Sequence, residues 1–510
     1  MSSSACATRA SRKFRCDAAT NLPDAFHGAS YHSCLDDMRP DFDLAVIGGG
    51  AGGLVVAAGG AALGARVALV EKHKLGGDCL WYGCVPSKTL IKSARIAHQM
   101  RHADRWAIAP AVPQVDLAQV MERVAGVIRG IEPNDSPERF RGLGVDVILG
   151  DGRFTAPDCF EVGGRRITAK HFVIATGSRP AAPPIPGLDR VPYLTNETVF
   201  GLRESVPHLL VIGAGPIGCE LAQAFRRLGS EVTVVDVAAG ILAREDLDLA
   251  EVVHRAMQSE GVRFRLGAAI AGAEGRAGDV RLTLKSRDGT VDTLAGSHLL
   301  VAAGRIANVE GLGLDAAGVE VDRGRIVNAD LVTTNPRILV IGDAAGGHQF
   351  THVAEHHAGV VLRRTLFRMG WTKPSAVVPW CTYTDPELAR VGLSETEAKQ
   401  RGVAHSVYRF PFADIDRARA EGETEGCAKL VTDPRGRILG AAIAGAHAGE
   451  LIAEAVLAMN KRLRASDLSA SIHAYPTLAQ VNRRAADQRL KEGLTPSSKA
   501  WIRRIFRLRG

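Results

Sequence analysis

The chain is poor in aromatic residues, which make up 5% of its 510 positions. It has no apolar run near the roughly 18 residues that a bilayer crossing needs, so no membrane-spanning helix is expected. Its nine cysteines are an odd number at irregular spacing, which excludes the paired framework of a small secreted protein. A reducing compartment, the cytoplasm, fits better, and a disulfide there is usually catalytic. No second close pair follows Cys79 and Cys84, and their spacing does not suit zinc, so no metal site is expected. Acidic residues fall short of basic ones by 63 − 55 = 8, but the excess is local. From Val481 to Gly510 there are nine Lys or Arg against two acids, 9 − 2 = +7, leaving the remainder close to neutral. That distribution argues against a nucleic-acid binder.

What is present is an ample hydrophobic content, 46%, in a length that suggests several domains. The most informative segment is Gly76-Gly-Asp-Cys-Leu-Trp-Tyr-Gly-Cys-Val-Pro-Ser-Lys88. On a regular helix, residues five apart have Cα atoms roughly 8–9 Å apart. A disulfide needs about 4.4–6.8 Å. The backbone must bend for Cys79 and Cys84 to pair, and Gly83 can supply the bend. Two readings stand at this point: electrons passing through a disulfide beside a nucleotide site, or two free cysteines in a core helix.

The chain repeats one unit at an offset of 213 − 48 = 165 residues. The first copy runs Asp43-Leu-Ala-Val-Ile into Gly48-x-Gly50-x-x-Gly53 and ends on Glu71. The second runs Leu209-Leu-Val-Ile into Gly213-x-Gly215-x-x-Gly218 and ends on Asp236. In both, the acid lies 18 residues past the last glycine (71 − 53 and 236 − 218). The first glycine makes a tight turn, the second admits a pyrophosphate, and the third lets helix and strand pack closely. The helix N-terminus offers N–H groups to phosphates, and the acid accepts from a ribose hydroxyl. Two dinucleotides imply FAD and NAD. The cysteines follow the first unit, so FAD is placed there and NAD in the second. Asp236 favours NADH over NADPH, although Arg244 stands nearby.

At this point the chain resembles the class I pyridine nucleotide–disulfide oxidoreductases, the family of dihydrolipoamide dehydrogenase, glutathione reductase and mercuric reductase. The likeness runs from Asp41 to about Arg484. Gly76–Lys88 is similar to the family's redox-active disulfide. Ala175-Thr176-Gly177-Ser178 resembles the segment closing the first FAD portion, and Thr333–Asp343 the second FAD motif. Ala302-Ala-Gly304-Arg305 is similar to the segment returning from the NAD domain, with Ala307 where a proline is usual. Val378–Glu387 looks like the opening of the dimer-interface domain.

The resemblance implies an α/β chain with two Rossmann-like dinucleotide-binding domains and an α+β C-terminal dimerisation domain. The boundaries it suggests are 41–182 with 303–374 for FAD, 183–302 for NAD, and 375–486 for the interface. Gly48, Gly50, Gly53, Glu71, Thr176, Gly177 and Asp343 would hold FAD; Gly213, Gly215, Gly218, Asp236 and Gly304 would hold NAD(P)H. A hydride would pass from NADH to the flavin, and electrons would then open the Cys79–Cys84 disulfide. Cys84 is implied to be the thiol nearest the flavin and Cys79 the one meeting substrate. Lys88 and Glu220 would form an ion pair stabilising charge on the reduced flavin. Cys159, Cys219, Cys381 and Cys427 read as packed small residues.

The family pattern breaks near the C-terminus. The usual His-Pro-Thr and later Glu, which serve as base and orienting group from the partner subunit of a homodimer, are replaced by Tyr475-Pro-Thr and Gln480. A tyrosine, with its ordinary pKa near 10, is a poor proton acceptor. His473, two residues away, is a candidate substitute. Tyrosine here resembles mercuric reductase, but no cysteine follows Cys427, and Cys6, Cys16 and Cys34 are too scattered for a metal-binding domain. The expectation is an FAD-dependent NAD(P)H oxidoreductase passing electrons to a small-molecule acceptor: a disulfide, a metal ion or a quinone. Dihydrolipoamide dehydrogenase is the alternative; a membrane-docked redox sensor is the alternative of another class.

Both ends look detached. Residues 1–40 read as a disordered extension of Ser, Ala and basic residues, resembling a transit peptide in composition; Met38 is an alternative start. Residues 487–510 form a basic tail that puts Trp501, Ile502, Ile505 and Phe506 on one helical face. Such a face rests on an anionic membrane surface, on its own protein or on a partner subunit.

Overall fold

The computed structural model describes residues 39–286 and 289–508. The expectations for residues 1–38, including the alternative start at Met38, lie outside the described residues.

The apolar runs that precede each glycine fingerprint become central strands. Phe42–Ile47 lies between Val67–Glu71 and Arg165–Ile174, parallel to both, with Val46 opposite Leu69 on one side and Val173 on the other. Asp146–Leu149 extends the sheet on one side and Ile338–Val340 on the other, again in parallel, and the short antiparallel strands Val332–Thr333 and Asn328–Ala329 follow beyond Ile338–Val340. Leu44, Val46, Leu69, Val173 and Val340 are fully buried. That is the unbroken apolar signature of strands covered on both faces. One cover is the helix Ala51–Ala62, which packs on Thr351–Thr365. The first sheet is thus assembled from two distant stretches of chain.

The second fingerprint yields a smaller parallel sheet in the order Arg263–Leu266, Glu231–Asp236, His208–Ile212, His298–Val301. An antiparallel three-stranded sheet from Ala269 to Gly296 accompanies it. The chain crosses between the two nucleotide sheets through Ser178–Pro180, paired antiparallel with Arg305–Ala307. The third part is a five-stranded antiparallel sheet, Pro379–Thr382, Glu387–Gly392, Ile438–Gly445, Cys427–Thr432 and Ser406–Pro411.

Charged groups, not only apolar ones, seal the second and third parts together. Lys429, on an interface strand with its side chain 1% exposed, reaches Asp246 at 3.0 Å, Asp248 at 2.6 Å and Glu395 at 3.3 Å. Asp246 also accepts from the backbone of Glu395 and from Thr396. Burial alone would raise the Asp246 pKa; the Thr396 hydrogen bonds and Lys429 outweigh it and hold the carboxyl below its usual range. A second anchor is Arg227, which grips Glu260 at 2.6 Å and Asp385 at 2.8 Å.

Residue 486, the expected end of the interface part, lies within a longer helix. The helix Gln480–Glu492 buries Val481, Ala485 and Ala486, and Tyr408 donates to Glu492 Oε2 at 2.7 Å. Packed structure therefore runs to Glu492, because small residues four apart on this helix face the interface sheet. The following helix, Pro496–Phe506, buries no residue. Among the described residues no helix is long and apolar enough to cross a membrane.

Removing one partner of a buried ion pair strands the other charge, at a cost of about 3–5 kcal/mol. Lys429→Met is expected to lower the first thermal unfolding transition clearly, read by circular dichroism. A transition unmoved from the parent protein would show that the Asp246 cluster is not holding these parts together.

Candidate active site

The helix carrying the cysteines is broken between them. Gly77–Trp81 ends at Tyr82, and a new helix begins at Cys84 and runs to Arg101. Gly83 sits in the break. A Cβ there would lie 2.9 Å from the Asp78 carbonyl oxygen and 3.2 Å from the Cys79 Cα, so any side chain would push the two segments apart. Both cysteines are free thiols in this structure, Cys79 half-buried and Cys84 exposed, and they hydrogen-bond to each other.

Their proton affinities split. The hydrogen bond from Cys79 is the main influence lowering Cys84 to about 6; burial opposes it, while Thr351 and the charge of Lys88 assist. Cys79 moves upward because it donates to Cys84, is partly desolvated and feels the neighbouring negative charge. Cys84 is thus the more acidic thiol of the pair and Cys79 the less acidic. Thr351 Oγ1 lies 3.5 Å from Cys84 Sγ.

One turn beyond Cys84, Lys88 Nζ meets Glu220 Oε2 at 2.8 Å. Burial works against the lysine charge, but the charge and hydrogen bond of Glu220 exceed that effect and leave the Lys88 pKa raised. Glu220 Oε1 accepts from the Tyr383 backbone N–H at 2.9 Å, and the Tyr383 ring lies 4.4 Å from Lys88 Nζ. Three residues from separate stretches of chain, Lys88, Glu220 and Tyr383, therefore meet one turn beyond Cys84.

The two nucleotide turns have matching geometry. A Cβ on Gly53 would stand 1.9 Å from the Gly48 carbonyl oxygen, and one on Gly218 the same distance from that of Gly213. Gly48 and Gly213 both adopt left-handed φ, +110° and +108°. Gly50 and Gly215 cap the two helices with extended backbone. Glu71 accepts from Gly49 N at 2.7 Å, and Asp236 from Ala214 N at 2.6 Å, so each acid clasps the turn it follows. A Cβ on Gly77 would lie 2.6 Å from the Gly50 Cα, so the cysteine segment packs directly on the first turn. These narrow, N–H-rich turns fit dinucleotide phosphates.

Thr176, Gly177 and Gly304 lie together at the crossover. Thr176 Oγ1 donates to the Asn308 carbonyl at 2.7 Å, Asn308 N donates to Gly177 O at 3.0 Å, and Gly304 O accepts from Ala181 N at 2.9 Å. Asp343 is drawn into the same region, where Ser178 Oγ donates to its carboxylate and Arg305 Nε approaches to 3.9 Å. Burial raises its pKa, against the lowering effect of Ser178 and Arg305. An acid in such a place suits ligand hydroxyl groups. Arg305 also reaches Asp78, in the cysteine segment, at 3.3 Å.

Two candidate residues stand apart. His473, the candidate substitute base, has Nδ1 3.0 Å from the Ser471 carbonyl oxygen and Nε2 2.8 Å from Glu454 Oε1. Tyr475 is 69% exposed and donates to Asp416 Oδ2 at 3.1 Å. That bond raises its pKa, which makes it still less suited to accept a proton. Neither residue hydrogen-bonds to Cys79, Cys84 or Lys88 within the chain. Thr351 escaped the sequence reading; a threonine at a helix start carries no local mark of a cysteine 267 residues away.

This architecture and this site define a flavoprotein of the disulfide-reductase type, and the comparisons agree. Residues 42–358 match the family model described as pyridine nucleotide-disulphide oxidoreductase, and residues 378–486 match its dimerisation domain. The chain belongs to that family, whose cofactors are FAD and NAD(P)H. It is 35% identical over 451 residues to mercuric reductase of Bacillus cereus, covering 88% of this chain and 71% of that one. It is 37% identical over 452 residues to dihydrolipoyl dehydrogenase of Chlamydia muridarum, covering 87% and 96%. The HOCl-induced flavoprotein disulfide reductase RclA from Escherichia coli superposes with a TM-score of 0.77 at 29% identity, covering 87% and 99%.

Thiolate absorbance of the reduced protein should titrate with a midpoint near pH 6, gaining intensity as the pH rises through it. Cys84→Ser should remove the signal, and Lys88→Met should move the midpoint upward by loss of the nearby positive charge. A midpoint in the ordinary thiol range, near 8.5, would show that Cys79 and Lys88 do not stabilise Cys84.

Proposed function

We propose that this enzyme takes electron pairs from NADH and delivers them, through the Cys79–Cys84 disulfide, to an acceptor that needs no thiol proton relay: a metal ion or a quinone. Support for the acceptor class comes chiefly from one observation. The position where the family places a base holds Tyr475, whose hydroxyl already donates to Asp416.

Bound FAD supplies the two-electron relay between nicotinamide and sulfur. Around it, Glu71 braces the first glycine turn, Gly48, Gly50 and Gly53 leave room for the pyrophosphate, and Thr176, Gly177 and Asp343 line the crossover. Asp236 would take the ribose of the nicotinamide nucleotide on the second turn, formed by Gly213, Gly215 and Gly218, with Gly304 at the return. A carboxylate in that position disfavours a 2′-phosphate, hence NADH. Lys88, fixed by Glu220, provides standing positive charge where electron density accumulates.

The balance at sulfur is simple. A hydride brings two electrons and one proton; the S–S bond breaks; Cys79 keeps the proton and Cys84 the negative charge. The acceptor then takes the electron pair, the disulfide closes, and the Cys79 proton leaves to water, or to the quinone, which draws its second proton from water. We place the enzyme in the cytoplasm as a homodimer joined through the domain matched at residues 378–486.

A dihydrolipoamide dehydrogenase reading has its own support in the 37% identity to the Chlamydia muridarum protein. The two readings separate experimentally. Tyr475→His combined with Gln480→Glu should raise NADH-dependent lipoamide reduction by roughly 10²-fold, the usual contribution of a positioned base, and leave reduction of Hg(II) and benzoquinone nearly unchanged. Efficient lipoamide turnover by the unaltered enzyme, with no gain on substitution, would sink the proposal.

A further inference from the structure

We propose that the C-terminal helix docks the enzyme on an anionic phospholipid bilayer. The stretch 493–510 contains five basic residues, Lys499, Arg503, Arg504, Arg507 and Arg509, and no acid. It lies beyond residue 486, where the dimerisation-domain match ends.

The helix Pro496–Phe506 starts on its own signals. Thr495 Oγ1 accepts from Ser498 N at 3.1 Å, and proline occupies the first turn. At 100° per residue, Trp501, Ile502, Ile505 and Phe506 fall on one side, while Arg503 and Arg504 fall on the other, with Arg507 at the left-handed C-cap. Trp501 is 64% exposed, Ile505 49% and Phe506 66%, with Leu508 just beyond them 57% exposed. An isolated helix of 11 residues is marginal in water. Ile502 is partly covered and no residue of the helix is fully buried, so the helix gains stability from whatever surface takes its apolar side.

Charge and shape together select that surface. A nucleic acid would satisfy the arginines but leave the apolar side in water. A neutral bilayer would take the apolar side but not the charges. An anionic bilayer accepts both, with the tryptophan and phenylalanine at the level of the headgroups and the arginines against the lipid phosphates.

The test is co-sedimentation of the FAD-loaded full chain with vesicles of phosphatidylcholine alone or mixed with phosphatidylglycerol. Binding should be at least roughly tenfold stronger to the anionic vesicles and weaken with salt, as for other basic amphipathic helices. Ending the chain at Glu492, or introducing I505E with F506E, or R503E with R504E, should each remove most of it. NADH oxidation in solution should be unchanged in all three variants, which shows that they fold. The proposal is overturned by vesicle binding that survives truncation or I505E/F506E. It is equally overturned if the full chain stays in the supernatant, whether or not the tail then binds RNA or changes the oligomeric state.

Discussion

The carboxylate of Glu220 is the point on which the site turns. One oxygen holds Lys88, and with it the helix that begins at Cys84. The other accepts the backbone N–H of Tyr383, at the start of the interface sheet. Glu220 itself sits in the first turns of the helix that follows the second nucleotide turn. A single buried acid thus registers the cysteine helix, the NAD(P)H-binding domain and the interface domain against each other. The arrangement is stable because each charge has a partner; a lysine or glutamate alone in that setting would be driven toward neutrality.

The same economy governs the sulfur atoms. The break at Gly83 brings Cys79 to Cys84, and the contact makes the two thiols unequal. Cys84 gains stabilisation of its anion from Cys79, Thr351 and Lys88; Cys79 loses acidity for the same reason. An opened pair that stores charge on one sulfur and the proton on the other is ready to close again when an acceptor takes the electrons. The matching clasp of Glu71 and Asp236 on their own turns shows one solution to dinucleotide binding used twice in a chain.

Segment 473–480 lies apart from the cysteines within the chain: Tyr475 donates to Asp416, and His473 sits between the Ser471 carbonyl and Glu454. The basic helix past Glu492 lies outside the matched domains.

Much of this was legible in the residues. The two glycine turns and their acids are short-range patterns, because strand, turn, helix and acid are joined by a few tens of residues whose geometry the local chain dictates. The need for a bend between the cysteines followed from helix geometry, and the glycine that allows it stood between them. The Lys88–Glu220 pair was reachable only through resemblance, since 132 residues separate its members. Tertiary structure alone decided that Thr351 touches Cys84, that Tyr383 completes the Glu220 carboxylate, that both nitrogens of His473 are engaged and that packed helix continues to Glu492. Those outcomes depend on which distant segments arrive at one place and which polar atoms are already paired. Residue spacing along a chain carries no record of either.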